Sequence, residues 1–194
     1  GNATERQCLC FLANLCSFIE DYLVRQSIGG PNLNFFIVKQ IPFLPPDFYR
    51  DPSPWAPKTR LLDWISDRAL ELVYTAHDLN GFATKCGYDG PPFQWNEDRR
   101  FLIRCELDAA FFHLYNLNEE DIEYILGTFH LVRDRDVEQF GEERTKQTLL
   151  NIFQRMRNAS TSGREYESVL DIPPGDRRAA HALNRATVLD GGSR

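Results

Sequence analysis

Between residues 4 and 26 apolar side chains recur at Cys8, Leu12, Leu15, Ile19 and Tyr22, in alternating steps of four and three. Leu9, Phe11, Cys16, Phe18 and Leu23 widen that stripe beyond one face, which predicts a buried amphipathic helix ended by Gly29-Gly30-Pro31. Leu33-Asn34-Phe35-Phe36-Ile37-Val38, β-branched and aromatic, predicts a short strand or extended segment. The prolines of Ile41-Pro42-Phe43-Leu44-Pro45-Pro46 forbid a helix interior and favour an extended path. A loop is expected over residues 47–57. Leu61, Ile65, Ala69, Leu72 and Ala76 mark a second helix, broadened by Leu62 and Val73. Gly81, Gly87 and Gly90-Pro91-Pro92 punctuate the chain after it.

A third helix opens at Asn96, a good N-cap, with Glu97 and Asp98 suited to the positive end of the helix dipole. Leu102, Cys105, Ala109 and Phe112 form its apolar line. Asn118 caps a fourth, with Asp121 at the capping-box position and Gly127 as its stop. A fifth begins near Glu142 and Glu143, buries Leu149, Phe153 and Met156, and closes with Arg155 and Arg157. From Ser160 onward no apolar period survives, so an irregular tail is expected, either draped over the core or mobile. The fold class is mainly α: a helical domain with one short extended or β segment and an irregular C-terminal tail. It divides into residues 1–46, a helical region 47–158 and a tail 159–194.

Composition adds constraints. A hydrophobic fraction of 42% supplies a core. Met156 is the single methionine, and Gly1-Asn2-Ala3 has the look of a tag scar, so the chain reads as a piece of a larger protein. No apolar run approaches the ~18 residues that span a bilayer, and the expected location is the cytoplasm with no membrane contact. Five cysteines at scattered spacing (Cys8, Cys10, Cys16, Cys86, Cys105) are expected to be reduced, buried thiols. Cys8 and Cys10 point about 200° apart on a helix and no partner pair at ligand spacing follows, so no zinc site is expected. The net charge of −6 does not describe a generic nucleic-acid binder, so any DNA role must come from local features.

The most informative passage is an apolar helix, Gly-Gly-Pro-Asn-Leu-Asn, an apolar run and Ile-Pro-Phe-Leu-Pro-Pro. Phe18, Tyr22, Leu23, Arg25, Gln26, Leu33, Asn34, Phe36, Ile37, Lys39, Gln40, Pro42, Pro45 and Pro46 follow one another in that order. Leu12 to Pro46 resembles the closing segment of target-recognition domains in restriction-modification proteins, particularly adenine-specific DNA methyltransferases of the Type IIG and Type ISP kind. Residues 70–79, 87–95, 104–115, 124–129 and 144–146 resemble the C-terminal region of the same large enzymes, so the likeness covers roughly residues 10–158. It implies a parent enzyme that uses S-adenosylmethionine, an upstream methyltransferase domain as packing partner, and double-stranded DNA as target.

The catalytic parts are expected upstream. An amino-methyltransferase needs a glycine-rich cofactor loop and an (Asn/Asp/Ser)-Pro-Pro-(aromatic) turn whose side-chain oxygen holds the target amine. Gly90-Pro91-Pro92-Phe93 offers no side-chain oxygen, Leu44-Pro45-Pro46-Asp47 fails similarly, and there is no glycine-rich loop. A nuclease of this kind needs Pro-Asp followed by an acid-x-Lys set around magnesium. Pro46-Asp47 has none behind it, and Glu143-Arg144-Thr145-Lys146 has one residue too many. No catalytic, cofactor or metal residue is therefore assigned. His113, among Phe111, Phe112 and Tyr115, reads as a core histidine. The candidate DNA-binding residues are Arg25, Gln26, Asn32, Asn34, Lys39 and Gln40, which mix charges for phosphate with amides for base edges. The structural alternative is that Arg25 caps its helix and the amides tie down the turn. Arg99, Arg100 and Arg104 on one helix, and Arg133 and Arg135 in an expected loop, are diluted by acids and read as solvated faces. Two functions follow: assisting DNA target recognition or packing on the catalytic domain, or a helical protein–protein scaffold without DNA contact.

Overall fold

The computed structural model describes residues 3–30 and 32–182. Gly1 and Asn2 of the expected scar, Pro31 of the expected helix stop and the end of the expected tail (183–194) lie outside them. The chain is mainly α-helical, with nine α-helices and one two-stranded sheet among the described residues.

The first apolar stripe folds as two helices, where one was expected. α1 (Glu5–Leu15) starts with a capping box between Thr4 and Gln7, and α2 (Phe18–Ser27) starts at Ser17. Two groups force the break. The Ser17 hydroxyl donates to the Asn14 carbonyl at 2.7 Å, and the Asp108 carboxylate accepts the Phe18 amide at 2.8 Å. A helix N-terminus leaves its first amides without partners, and a buried acid from another helix meets one of them here. The helices bend by 64°. α1 then packs on α4 (Leu61–Val73), where Arg6 bridges Asp63 and Asp67 at 2.6 Å each, while α2 packs on α6 (Glu97–Leu114) and α7 (Glu119–Gly127).

The run expected as a strand is also helical. α3 (Phe35–Val38) is one turn, capped by the Asn34 side chain, which accepts the Ile37 amide at 3.1 Å. β propensity expresses itself through cross-strand partners, and no described strand lies beside this run. A local Asn cap needs no partner and prevails. The expected loop at 47–57 contains a 3-10 turn (Pro46–Arg50) and most of a hairpin of β1 (Pro52–Ser53) and β2 (Ala56–Arg60), with Pro52 opposite Arg60. The hairpin feeds directly into α4 and buries Trp55 edge-on against Trp64, ring centroids 5.2 Å apart.

α5 (Asn80–Lys85) precedes the central helix. α6 starts at Asn96 as expected, accepting the Arg99 amide at 2.9 Å, and is buried from Ile103 to Phe112 except at Arg104. The Asn118–Asp121 capping box of α7 forms as expected. α8 (His130–Phe140) was not expected, and it places Arg133 and Arg135 on a helix instead of in a loop. Its apolar side chains are mostly exposed, Leu131 at 83%, and its buried group is Asp136, which accepts the Thr145 amide of α9 (Arg144–Ser162) at 2.6 Å. A helix held by a carboxylate shows no apolar stripe to read. α8 ends at Gly141 and α9 at Gly163, both in the left-handed region that favours glycine.

Beyond α9 the chain is irregular, and residues 164–182 drape over the core. The Tyr166 amide donates to the Trp55 carbonyl at 2.7 Å, Gln94 to Ala179 at 2.9 Å and His181 to Pro92 at 2.9 Å. Tyr166, Leu170, Ala179 and Ala180 are buried.

Candidate nucleic-acid interface

The turn carrying the candidate DNA contacts stands on a buried polar cluster. Asn14 and Glu20 are fully buried on α1 and α2. The Tyr115 hydroxyl donates to the Glu20 carboxylate and lies 3.2 Å from the Asn14 amide oxygen and 3.1 Å from the Pro42 carbonyl. That amide oxygen also accepts from the Leu44 amide at 3.4 Å and faces the Tyr49 hydroxyl at 3.5 Å. The proline segment is thereby clamped to the ends of α1 and α6, and the turn projects from it. Burial raises the Glu20 pKa, opposed by its hydrogen bonds from Tyr115 and Asn14.

All six candidate residues are exposed. Arg25 donates twice to Asp21 of its own helix at 2.8 Å and lies over the Phe129 ring, between α7 and α8, at 4.5 Å. The Asp21 hydrogen bond raises its pKa further. Asn34 is occupied as the cap of α3, and Gln40 donates to the Phe36 carbonyl at 3.4 Å. Lys39 has no ion-pair partner among the described residues, and its ammonium sits 4.4 Å above the Phe35 ring. Gln26 and Asn32 form no side-chain hydrogen bond among the described residues. Arg25 does not cap its helix as anticipated but pairs with Asp21 one turn back, whereas the amides of Asn34 and Gln40 do tie down the turn. Lys39, Gln26 and Asn32 keep their polar groups available.

Charge is segregated in a way that bulk composition hides. Residues 22–46 contain Arg25 and Lys39 and no Asp or Glu, a balance of +2. The remainder holds 20 basic and 28 acidic residues, or −8. Phe35 and Phe36, at 73% and 74% exposure, stand within this acid-free stretch.

The other basic groups divide. Arg99 is a structural tie instead of a solvated cation: it pairs with Glu71 at 2.5 Å and donates to the Ile172 carbonyl at 2.9 Å. Arg100 donates to the Leu72 carbonyl and lies 3.7 Å from the Trp95 ring centroid, and burial lowers its pKa. Arg104 is exposed between two depressions. One is an apolar cavity of 240 Å³ whose lining includes Leu12, Ala69, Leu72, Val73 and Leu107. The other is a 740 Å³ groove against α8 in which Arg104, Arg135 and Arg144 face Glu97, Asp98, Asp108 and Asp136. That groove is of mixed charge and makes no anion site.

The proline turns have structural work. Gly90-Pro91-Pro92-Phe93 directs the Pro91 carbonyl to the Tyr88 hydroxyl and the Pro92 carbonyl to the His181 amide, and Phe93 is fully buried. His113 is a core residue: it stacks on Phe153 with centroids 4.0 Å apart, bonds the Phe153 carbonyl at 3.0 Å, and is pushed down in pKa by burial. Cys10, Cys86 and Cys105 are buried free thiols, whereas Cys8 and Cys16 are exposed, against the expectation that all would be buried. Burial pushes the Cys10 thiol up to about 12.

Residue-pattern reading missed the buried acids among the described residues: Glu20, Glu71, Asp136 and, on α6, Glu106 and Asp108. Glu106 pairs with Arg68 at 2.8 Å and accepts from the Tyr166 hydroxyl, the Ser168 hydroxyl and the Val169 amide at 2.9, 2.7 and 3.1 Å. Burial raises the Asp108 pKa to about 7, against the lowering effect of the Phe18 amide and Arg104. For Glu106 and Asp108 the signal was there: both lie in the α6 run where apolar residues occupy every face. No family model, curated protein or solved structure matches this chain.

Proposed function

We propose that this chain is the C-terminal, target-recognition-associated region of a restriction-modification DNA methyltransferase, and that its Arg25–Gln40 turn helps to hold duplex DNA for an upstream domain. The sequence resemblance over residues 10–158 motivates the reading. The observation that carries the DNA contact is charge segregation: an acid-free surface turn in which Lys39 has no ion-pair partner and Gln26 and Asn32 no side-chain hydrogen bond among the described residues, on a chain that is otherwise strongly acidic. Lysine neutralises phosphate, and Asn and Gln side chains bond base edges. S-adenosylmethionine and methyl transfer belong, on this reading, to the upstream domain. The scaffold alternative draws on Phe11, Leu12 and Leu15, which stay exposed along α1.

Titration of the chain with a fluorescent duplex at several salt concentrations separates the two. Each neutralised phosphate contributes a slope of about −0.9 in log K against log salt. Lys39→Ala is expected to remove about one such unit with an unchanged melting temperature. Equal slopes for wild type and variant, or no binding at low salt, would overturn the DNA reading and leave the scaffold.

A further inference from the structure

The least explained feature of the surface is the pair Phe35–Phe36. Adjacent residues on a helix point about 100° apart, so one of two neighbouring phenylalanines ordinarily reaches the core. Here neither does, while Ile37 and Val38 of the same turn are half-buried and anchor it. The chain therefore spends its anchoring on the aliphatic pair and presents both rings to the outside. Exposed Leu33 precedes them in sequence, and the same segment also presents polar groups. Lys39 stands over one face of Phe35, the amides of Asn32 and Gln40 are exposed close by in sequence, and no acid occurs from Tyr22 to Pro46. The flanking acids are engaged: Asp21 binds Arg25, Asp47 pairs with Arg50 at 3.2 Å, and Glu20 is buried. A π face with a cation beside it, in a segment that carries no acid of its own, fits a flat aromatic ring attached to an anionic backbone, which is a nucleic-acid base.

Resting on the DNA reading above, we infer that Phe35 and Phe36 form a stacking wedge that enters a DNA duplex at weakly paired steps. Apolar wedges between base steps work by unstacking them, and the work is least where pairing is already poor. Base–aromatic stacking tolerates sequence because every base has a π face. The wedge thus adds affinity for distorted duplex, while Lys39 and its neighbours supply the phosphate attraction.

The probe is a duplex carrying 2-aminopurine, prepared fully paired and with a single mismatch beside the reporter, titrated with the full chain. The wild type is expected to bind the mismatched duplex about tenfold more tightly and to change the 2-aminopurine emission. The Phe35→Ala/Phe36→Ala double variant is expected to lose both effects while keeping the wild-type salt slope and melting temperature. Phe36→Trp supplies a direct reporter: its added indole emission is expected to be quenched on binding. Double-variant binding with an unchanged mismatch preference would overturn the wedge and leave the phosphate contact standing. An unquenched Phe36→Trp indole at saturation would overturn it too. Failure of every form, wild type included, to bind DNA at low salt would overturn the DNA reading itself. If the rings instead serve a protein surface, the double variant abolishes self-association in sedimentation and leaves mismatch preference untouched, which also refutes the wedge.

Discussion

Two segments of this chain outside the long helices, 164–182 and 32–40, meet opposite fates. The first has few apolar residues and no period, yet buried carboxylates hold it along its length. Glu106 takes a hydroxyl, a second hydroxyl and an amide from residues 166–169, and Glu71 accepts the Gly175 amide at 3.0 Å while pairing with Arg99. The second segment is rich in apolar side chains and leaves two phenylalanines uncovered. Its own hydrogen bonds are local, and its hold on the body comes from Asn14, Glu20 and Tyr115 beneath residues 42–44. Hydrophobicity alone does not decide which loop is fixed. A buried acid with three or four donors fixes a polar segment, whereas an apolar segment without a facing surface stays open for a partner.

The largest expected effect breaks the fixed side of that contrast. Glu106→Ala leaves Arg68 buried beside Trp64 without its counter-charge, and burial already lowers the pKa of that guanidinium. Removing one partner of a buried pair costs about 3–5 kcal/mol, which in a domain of this size lowers the melting temperature on the order of 10 °C. Thermal melts followed by circular dichroism measure it, and limited proteolysis should cut the variant after Arg164 first. A loss below about 2 °C, within the range of ordinary surface changes, would show that Glu106 does not hold the segment.

A smaller effect sharpens the role of buried acids. The Asp108 carboxyl titrates at about 7 in the fold against an ordinary value of 3.8, so between these values the folded chain holds a proton that the unfolded chain lacks. Stability from this group therefore falls as pH rises from about 4 to about 7, and the cost of burying the charge is complete above that. Asp108→Asn keeps an oxygen for the Phe18 amide and removes the charge. Its stability is expected to match wild type near pH 3.5 and to exceed it by on the order of 2 kcal/mol at pH 8.5, about half of what the full shift corresponds to. Urea denaturation at the two pH values tests this, and a difference that does not change with pH would refute it.

Much of this was legible beforehand, for specific reasons. Asn96 and Asn118 announced α6 and α7 because a cap is a local device whose donor lies two or three residues away. The mainly α character followed from apolar spacing. What escaped notice depended on distant partners. The break at Cys16-Ser17 needs Asp108, ninety residues on, and α8 is tied by Asp136 to the start of α9. The turn at 33–38 had strand composition but no strand beside it. At the candidate site, the six polar residues were visible as types. That Arg25, Asn34 and Gln40 are partly consumed by their own helices, leaving Lys39 as the free cation of the turn among the described residues, requires coordinates.

The smallest expected effect tests the open side of the comparison. Asn34 caps a single helical turn whose other tie is the half-buried pair Ile37 and Val38. Replacing an N-cap by alanine costs about 1 kcal/mol, and in a long packed helix that cost would appear in the melting temperature. Here α3 can open without disturbing the clamp at Pro42 and Leu44, because Asn14, Glu20 and Tyr115 belong to other helices. Local opening needs far less free energy than global unfolding where few buried contacts are lost. Asn34→Ala is therefore expected to leave the melting temperature within about 1 °C while amide exchange at Ile37 and Val38 accelerates about fivefold, the factor that 1 kcal/mol gives. Exchange at Leu44 should stay as in wild type. If the melting temperature falls as far as exchange at α3 rises, the turn is part of the cooperative core and the contrast with residues 164–182 fails. If exchange does not change at all, the cap contributes nothing and the helical form of 35–38 must come from Ile37 and Val38 alone.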